Sequence, residues 1–188
     1  MCILPRTAKP LIPPNIYLCG SIINFVDKFR YLGHIISNDC TDDWDIERET
    51  RSLYIRGNTI VKKFGFLDEN IKCSLFKSYC YSLYTCSLWV NYRQSTMNKM
   101  RVAYNNVLRK LLDVPPRCSI SAVFVSNNLR GFWENIRYSC YSLRERVVIC
   151  DNSILKTMLR SDCYVVSAQR ITWHNIIYRN PTNNVYLI

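Results

Sequence analysis

The chain has 188 residues, of which 48% are hydrophobic and 13% aromatic, and its formal net charge is +11. This apolar content excludes a wholly disordered protein, and the charge favours nucleic acid as a partner, ahead of an anionic membrane. A soluble domain that is merely basic is the alternative. Residues 1–49 carry five Lys or Arg against seven Asp or Glu, and residues 50–188 carry 20 against seven. The positive charge therefore belongs to the later part of the chain.

Residues 1–14 are predicted to be an irregular lead, because four prolines interrupt them. The same prolines argue against a secretory signal. The sequence contains no run of 18 or more apolar residues, so no transmembrane helix is expected. We therefore expect an intracellular protein, in the nucleus or cytoplasm, that is neither secreted nor membrane-bound. The ten cysteines include no C-x2-C pair, and only two histidines are present. Zinc is improbable, and the cysteines that fall on apolar helical stripes are interpreted as buried free thiols.

Residues 15–40 have the composition of a small antiparallel β segment. Short β-rich runs predict strands over residues 16–19, 22–26 and 29–36. The last run contains Gly33, a residue that weakens a strand interior and marks a turn or a close backbone approach. Because an isolated hairpin is marginal in water, this segment must pack on another part of the chain.

The first helix is predicted over residues 42–64, where apolar residues recur at steps of three and four. Its inward stripe comprises Ile46, Leu53, Gly57, Ile60 and Phe64, together with Thr50. The acidic residues at its start are interpreted as capping and helix-dipole groups, namely Asp39, Asp42, Asp43, Asp45, Glu47 and Glu49. A magnesium site is the less favoured interpretation of these carboxylates.

Further helices follow along the chain. One is predicted over residues 69–92 with Asp68 as its cap, and the next begins at Ser95 or Thr96 and is stopped by Pro115. That helix directs inward Met97, Met100, Tyr104, Val107, Leu108 and Leu111. Shorter helical segments are predicted over residues 121–127, 132–150 and 153–161, whereas residues 162–188 give no clear period. The predicted fold class is α+β, mainly α, with an N-terminal β-hairpin or meander followed by a multi-helix bundle.

The basic residues avoid the apolar stripes of these helices. A row of cations can neutralise successive phosphates and release counterions, although a solvated helix face is the plainer interpretation of any single member. Arg130, Arg137 and Arg144 are spaced by seven and should share a face. The candidate backbone-binding residues are Arg48, Arg51, Lys62, Lys63, Arg101, Arg109, Lys110, Arg137 and Arg144, with Lys99 beside them.

No catalytic constellation stands out in the sequence. The phosphate-binding patterns G-x-x-x-x-G-K-[ST] and G-x-G-x-x-G are both absent from the sequence. Neither histidine has a serine or cysteine in its sequence context that could serve as a nucleophile. A self-sufficient enzyme is therefore not expected, and neither is a cofactor.

Four segments in order resemble the C-terminal part of the reverse transcriptases of LINE-type (non-LTR) retrotransposons. The segments are "FVDKFRYLGHIIS", "DIERETRSLYIRGNTIVKKF", "KCSLFKSYCYSLYTCSLWVNY" and "MNKMRVAYNNVLRKLLDVP", and together the resemblance covers roughly residues 15–150. The resemblance implies a palm-end β segment over 15–40, a helical thumb over 41–116, a connection region over 117–161 and a tail over 162–188.

The resemblance also implies roles for particular residues. A primer grip, a β-turn that holds the primer 3′ end, would comprise Phe29, Tyr31, Leu32 and Gly33, with Ile36. The thumb positions that match are Ile46, Arg51, Leu53, Phe64, Lys77, Tyr84, Trp89, Arg109 and Leu111.

One departure from the family limits what the resemblance implies. The family binds two magnesium ions through palm aspartates that include an Ala-Asp-Asp turn, and this sequence has no such turn. Its one Asp-Asp pair, Asp42-Asp43, follows the grip segment instead of preceding it. The expectation is an inert thumb-and-connection remnant, with magnesium needed only by a full-length enzyme.

Three functions are therefore compatible with the sequence. The first is non-specific binding of an RNA or DNA duplex or hybrid through the phosphate backbone. The second is a helical protein–protein interaction module that associates with itself or with the missing palm and fingers. The third is the product of a decayed element without a selected function.

Overall fold

The computed structural model describes residues 14–178, and its helices dominate over two small β-hairpins. Residues 1–13 of the predicted lead and residues 179–188 of the predicted tail lie outside this range. Within it the order of elements is β1 (Tyr17–Leu18), β2 (Ser21–Ile22), β3 (Lys28–Tyr31), β4 (His34–Ser37), α1 (Asp43–Phe64), α2 (Glu69–Cys80), a 3₁₀ turn (Cys86–Leu88), α3 (Gln94–Leu111), α4 (Ile120–Ser126), α5 (Phe132–Ile149), α6 (Ser153–Arg160), α7 (Asp162–Val165) and α8 (Ala168–Tyr178). The predicted fold class is confirmed.

The β segment differs from the predicted three strands. It forms two separate two-stranded antiparallel sheets, β1 with β2 and β3 with β4. The predicted strand over residues 29–36 is wrong, because the chain reverses at Leu32 and Gly33 and the two halves pair with each other, Tyr31 opposite His34. β4 packs on α1, whereas β3 is exposed along its whole length and places the Lys28 ammonium over the Trp44 ring of α1.

Helices α1 and α3 form the centre of the bundle, and they run in the same direction. Asp43 at the start of α1 bonds Arg93, which precedes α3, and Asn58 further along α1 accepts a hydrogen bond from Lys110 near the end of α3. The α1 residues predicted to face inward are buried or half-buried, and all six inward residues predicted for α3 are buried. These two predicted stripes are confirmed.

The predicted helix over residues 69–92 is too long. α2 ends at Cys80, and the following chain is irregular apart from the 3₁₀ turn, with Thr85 in a left-handed conformation. Residues 81–92 are rich in aromatic and β-branched side chains, which are poor helix formers. By leaving the helix the chain buries Leu83, Cys86 and Trp89 in the core.

The last elements pack on one another and on the 3₁₀ turn. The side chains of Gln169 and Trp173 in α8 both donate hydrogen bonds to the carbonyl of Ser87, at 3.1 and 2.7 Å. Trp173 and Ile177 are buried against α5. Residues 162–178 of the tail, for which the sequence showed no period, are therefore mostly helical.

Candidate nucleic-acid interface

The turn between β3 and β4 presents the predicted grip residues at an exposed tip. Leu32 and Gly33 have φ angles of +46° and +87°, the pattern of a two-residue hairpin loop in which both central residues are left-handed. Glycine adopts this conformation freely, whereas leucine is strained there by about 1–2 kcal/mol. The Leu32 side chain is 76% exposed, and those of Phe29 and Tyr31 are more than half exposed. The tip therefore holds an apolar side chain in solvent at an energetic cost.

Tyr84, in the irregular segment after α2, contacts and stabilises this turn. Its hydroxyl donates a 2.7 Å hydrogen bond to the Leu32 carbonyl. A Cβ atom added to Gly33 would lie 3.0 Å from the Tyr84 ring. Gly33 is thus required both by its positive φ and by the close approach of this ring.

The carboxylate of Asp45 joins the hairpin, α1 and the segment after α2. Asp45 is fully buried, and it accepts hydrogen bonds from the Ile35 amide, the Arg48 guanidinium, the Thr85 hydroxyl and the Trp89 indole at 2.6–3.0 Å. His34 Nδ1 lies 3.0 Å from Oδ2, the oxygen that also accepts from Thr85 and Trp89. One side chain therefore fixes three parts of the chain relative to one another.

The neighbouring acids act in the same way. Asp43 and Asp45 lie in the first turn of α1, as the predicted helix-dipole role requires, but the predicted side-chain capping by Asp42 is wrong. Asp42 stands at the N-cap of α1 but makes no side-chain cap bond. Its carboxylate accepts from the amides of Val90 and Asn91, and Asp43 accepts from the amide and the guanidinium of Arg93. These carboxylates bind a distant segment because that segment has no helical partners for its own amides.

The pKa values reflect these surroundings. Burial opposes the ionisation of Asp45, but hydrogen bonds from His34, Arg48, Thr85 and Trp89 outweigh it and hold the pKa well below the usual range. Asp42 differs, because burial raises its pKa despite the two amide bonds. Asp45 is consequently the charged centre of the network at neutral pH.

His34 supplies a pH-dependent link between the hairpin and α1. The hydrogen bond with Asp45 raises the pKa of His34 above 6.5, with support from Asp42 and opposition from burial and Arg48. Because the folded-state value is the higher one, the stabilisation is complete below pH 6.5 and is lost as the pH rises through the folded-state pKa.

We therefore expect the free energy of unfolding to decline as the pH is raised from 6.5, and the decline to be absent in H34Q. H34Q should also be less stable below that pH by about 1.5–3 kcal/mol, the contribution of a hydrogen bond to a charged group. Urea unfolding followed by circular dichroism at several pH values measures both effects. An equal decline in the two proteins would contradict the assignment to His34.

Two arginines of α1 are committed to carboxylates. Arg48 pairs with Asp45 and Glu49 at 2.7 and 3.0 Å, and Arg56 pairs with Glu49 at 2.7 Å. Carboxylates therefore face two of the basic residues of α1. Arg48, a predicted backbone-binding residue, is a structural ion-pair partner here.

Several other predicted residues are held by the backbone. Arg109 donates to the carbonyls of Pro115 and Cys118 and so closes the loop after α3. Arg137 donates to the Ile176 carbonyl of α8, and Arg144 bonds Glu145 and the Tyr178 hydroxyl. The guanidinium of Arg130 lies before α5 and between the rings of Tyr81 and Tyr138, at 4.4 and 4.0 Å. Arg137 and Arg144 lie on α5 as predicted, whereas Arg130 precedes that helix, although it lines a pocket together with Arg137. All three side chains are half-buried.

Arg101 is half-buried on α3, a less exposed place than its prediction as a backbone-binding residue requires. Within residues 14–178 its buried Nε has no hydrogen-bond partner.

Three of the remaining cations, Arg51, Lys99 and Lys110, line the groove between α1 and α3, which we call the α1–α3 face. It contains two cavities of about 280 Å³, one lined by Arg51, Thr96 and Lys99 and the other by Tyr54, Asn58 and Lys110. Glu47 lies in the first cavity, but no ion pair joins it to either cation within the described range. Lys62 and Lys63 are exposed at the end of α1.

No cluster of three or more His, Cys, Asp or Glu residues that could hold a metal ion occurs within residues 14–178. The nine cysteines in this range are free thiols. Burial raises the pKa of Cys80 and Cys140 to about 12 and that of Cys86 to about 11. Thiols with such values are unreactive at neutral pH, in agreement with their interpretation as small apolar core groups.

The sequence reasoning missed the residues that build the network around Asp45. No sequence pattern pairs His34, Thr85 or Trp89 with the acidic cluster, since they lie 11 to 44 residues away from Asp45 along the chain. One signal was available, because a single helix start can use only a few carboxylates. Six acids in residues 39–49 exceed that number.

No family model matches the chain, and neither a curated protein nor a solved structure matches it. None of the described helices is long and apolar enough to cross a membrane.

Proposed function

We propose that this chain binds the phosphate backbone of an RNA or DNA duplex or hybrid through the α1–α3 face, without reading its sequence. The observation that carries the proposal is the set of cations along this groove, Arg51, Lys99 and Lys110, none of which has a carboxylate partner among residues 14–178. Backbone contacts of this kind supply non-specific affinity.

The dimensions of the face suit a duplex strand. Lys99 and Lys110 are separated by eleven residues of α3, or about 16 Å at 1.5 Å per residue. One strand of a duplex advances about 3.4 Å per nucleotide along its axis. The face therefore spans about five nucleotides, and the groove between two parallel helices gives both cations access to the same strand.

The resemblance to non-LTR reverse transcriptases supports the same proposal. In that setting the α1–α3 face belongs to a thumb, residues 117–161 to a connection region, and the hairpin tip is a primer grip. The strained, exposed Leu32 supports this assignment of the tip, because strain of this kind concentrates at functional sites. No polymerase activity is proposed for the chain itself, since it has no Ala-Asp-Asp turn.

The test is a titration of a duplex of about 20 base pairs at several salt concentrations. We expect R51Q/K99Q to bind about tenfold more weakly and to lower the slope of log K against log salt by about two, one for each phosphate contact removed. The matched control R146Q/R160Q removes the same charge from exposed sites on α5 and α6, and its slope should equal that of the unmodified chain. An equal loss in both variants, or binding that is indifferent to salt, would contradict the proposal.

A second candidate function is protein–protein association through the two hairpins. The apolar side chains of this segment are exposed, among them Ile16, Tyr17, Leu18, Ile22, Phe29 and Leu32, and exposed apolar patches of this kind mark interaction sites. Light scattering on the titration samples separates the two functions. A monomer that binds duplex supports the first function, and a dimer that does not bind duplex supports the second.

A further inference from the structure

A pocket between α5 and α8 has the composition of a nucleotide site. Its volume is about 440 Å³, and it is lined by Arg144, Arg170, Ile171, His174, Asn175 and Tyr178. Pockets for small ligands start at about 300 Å³. It belongs to a different part of the bundle from the α1–α3 face, with which it has no lining residue in common.

The side of helix α8 that faces away from the pocket fixes the helix to the core. Gln169 and Trp173 bond the Ser87 carbonyl, and Trp173 and Ile177 are buried. The pocket residues at 170, 171, 174, 175 and 178 follow one another at helical spacing on the other side. The pocket is consequently built on a helix that is fixed to the core.

The polar groups of the pocket suit a phosphate. One nitrogen of the Arg170 guanidinium donates to the Val165 carbonyl at 2.8 Å, which positions the side chain and leaves its other donors for a ligand. Guanidinium groups bind phosphate oxygens through paired donors. Arg144 adds a second guanidinium, although Glu145 at 3.2 Å offsets part of its charge. Arg170 is therefore the principal phosphate ligand.

The aromatic groups suit a base. The ring centroids of His174 and Tyr178 lie 5.0 Å apart, and the ring planes are tilted by 48° to each other. Asn175 lines the pocket beside them, and its amide can both donate and accept hydrogen bonds. Unpaired bases stack on such rings. A base inside a duplex is already stacked on its neighbours, so a concave site of this kind selects a single strand.

From this arrangement we infer that the α5–α8 pocket binds one unpaired nucleotide of a single-stranded nucleic acid. Arg170 and Arg144 hold its phosphate, and Tyr178 with His174 stacks on its base. The site does not depend on duplex binding by the α1–α3 face. A chain with both surfaces holds a duplex and an adjoining single strand at once.

The test uses fluorescence anisotropy of a labelled oligouridylate of about 12 nucleotides, a length within the site sizes of single-strand binders. Binding is measured with the full chain in the presence of excess unlabelled duplex. We expect R170Q to weaken binding about tenfold through the lost charged contact, and Y178L about tenfold through the lost stacking. The same measurements with oligodeoxythymidylate show whether the sugar matters to the pocket.

Matched controls remove the same groups elsewhere. R160Q deletes an exposed arginine of α6, and Y79L deletes an exposed tyrosine ring of α2, so neither should change the affinity for the single strand. Circular dichroism verifies that each variant is folded. The inference is overturned if the unmodified chain does not bind the oligonucleotide, or if R160Q and Y79L lose as much as R170Q and Y178L. If R51Q/K99Q loses duplex affinity but keeps single-strand affinity, the two sites are independent.

Discussion

Replacement of Asp45 by alanine should lower the free energy of unfolding by about 3–5 kcal/mol, the usual cost of removing one partner from a buried ion pair. The substitution leaves the Arg48 guanidinium with one carboxylate fewer, and it leaves the Trp89 indole without the acceptor that lies 2.8 Å from it. Each buried donor without a partner costs about 1–3 kcal/mol. Because domain stability is only about 5–15 kcal/mol, this loss is a large fraction of the total.

Urea unfolding followed by circular dichroism and by tryptophan fluorescence measures this effect. D45N separates the effect of charge from that of shape. Asparagine retains one acceptor oxygen, but it carries no negative charge to balance the positive charges of Arg48 and His34. It should therefore fall between the unmodified chain and D45A. The control D151A removes an exposed carboxylate that lies 2.7 Å from Lys156, and it should change stability by less than about 1 kcal/mol. A D45A protein as stable as D151A would contradict the central role of Asp45.

The crossing of α1 and α3 at Gly57 leads to the second expected result, a destabilisation of about 2 kcal/mol in G57A. A Cβ atom at this position would lie 2.5 and 2.8 Å from the two Cγ atoms of Val107. Valine has essentially one side-chain rotamer in a helix, so it cannot turn away and the helices must separate. Alanine gains about 1 kcal/mol in helix propensity over glycine, but overpacking costs up to about 3 kcal/mol and prevails.

A double-mutant cycle with V107A identifies the cause. V107A removes both Cγ atoms, and the remaining Cβ would be 3.2 Å from the new methyl group. In that background G57A should be neutral or slightly stabilising, which corresponds to a coupling of about 2 kcal/mol. The cycle is read from urea midpoints at constant m-value. An additive cycle would mean that Gly57 matters for a reason other than contact with Val107.

These two positions show how far the sequence was informative. Gly57 was placed on the inward stripe of the first helix from periodicity, and it is buried there. Its contact with Val107, however, requires the direction and separation of α3, which no local pattern contains. Asp45 lies in the first turn of α1, as its predicted helix-dipole role requires, but the sequence does not predict its hydrogen-bond partners, which come from β4 and from the segment after α2.

For the candidate site as well, the sequence predicts some features and only the fold decides others. The turn at Gly33 was expected as one of two interpretations, and the structure places it at the hairpin tip. The basic residues were identified as a set, but their availability depends on neighbours. Arg48 lies beside Asp45 and Glu49, Arg109 closes a loop, and Arg51 remains without a carboxylate partner among the described residues.

The apolar periods of α1 and α3 were readable from the chain alone, because a helix repeats every 3.6 residues and its buried stripe is written into neighbouring positions. The hydrogen-bond partners of the acidic cluster were decided only by the tertiary structure. Asp45 and Trp89 are separated by 44 residues, and Asp42 accepts from amides 48 and 49 residues away. Hydrogen bonds over such separations exist only after the chain has folded, so no local pattern encodes them.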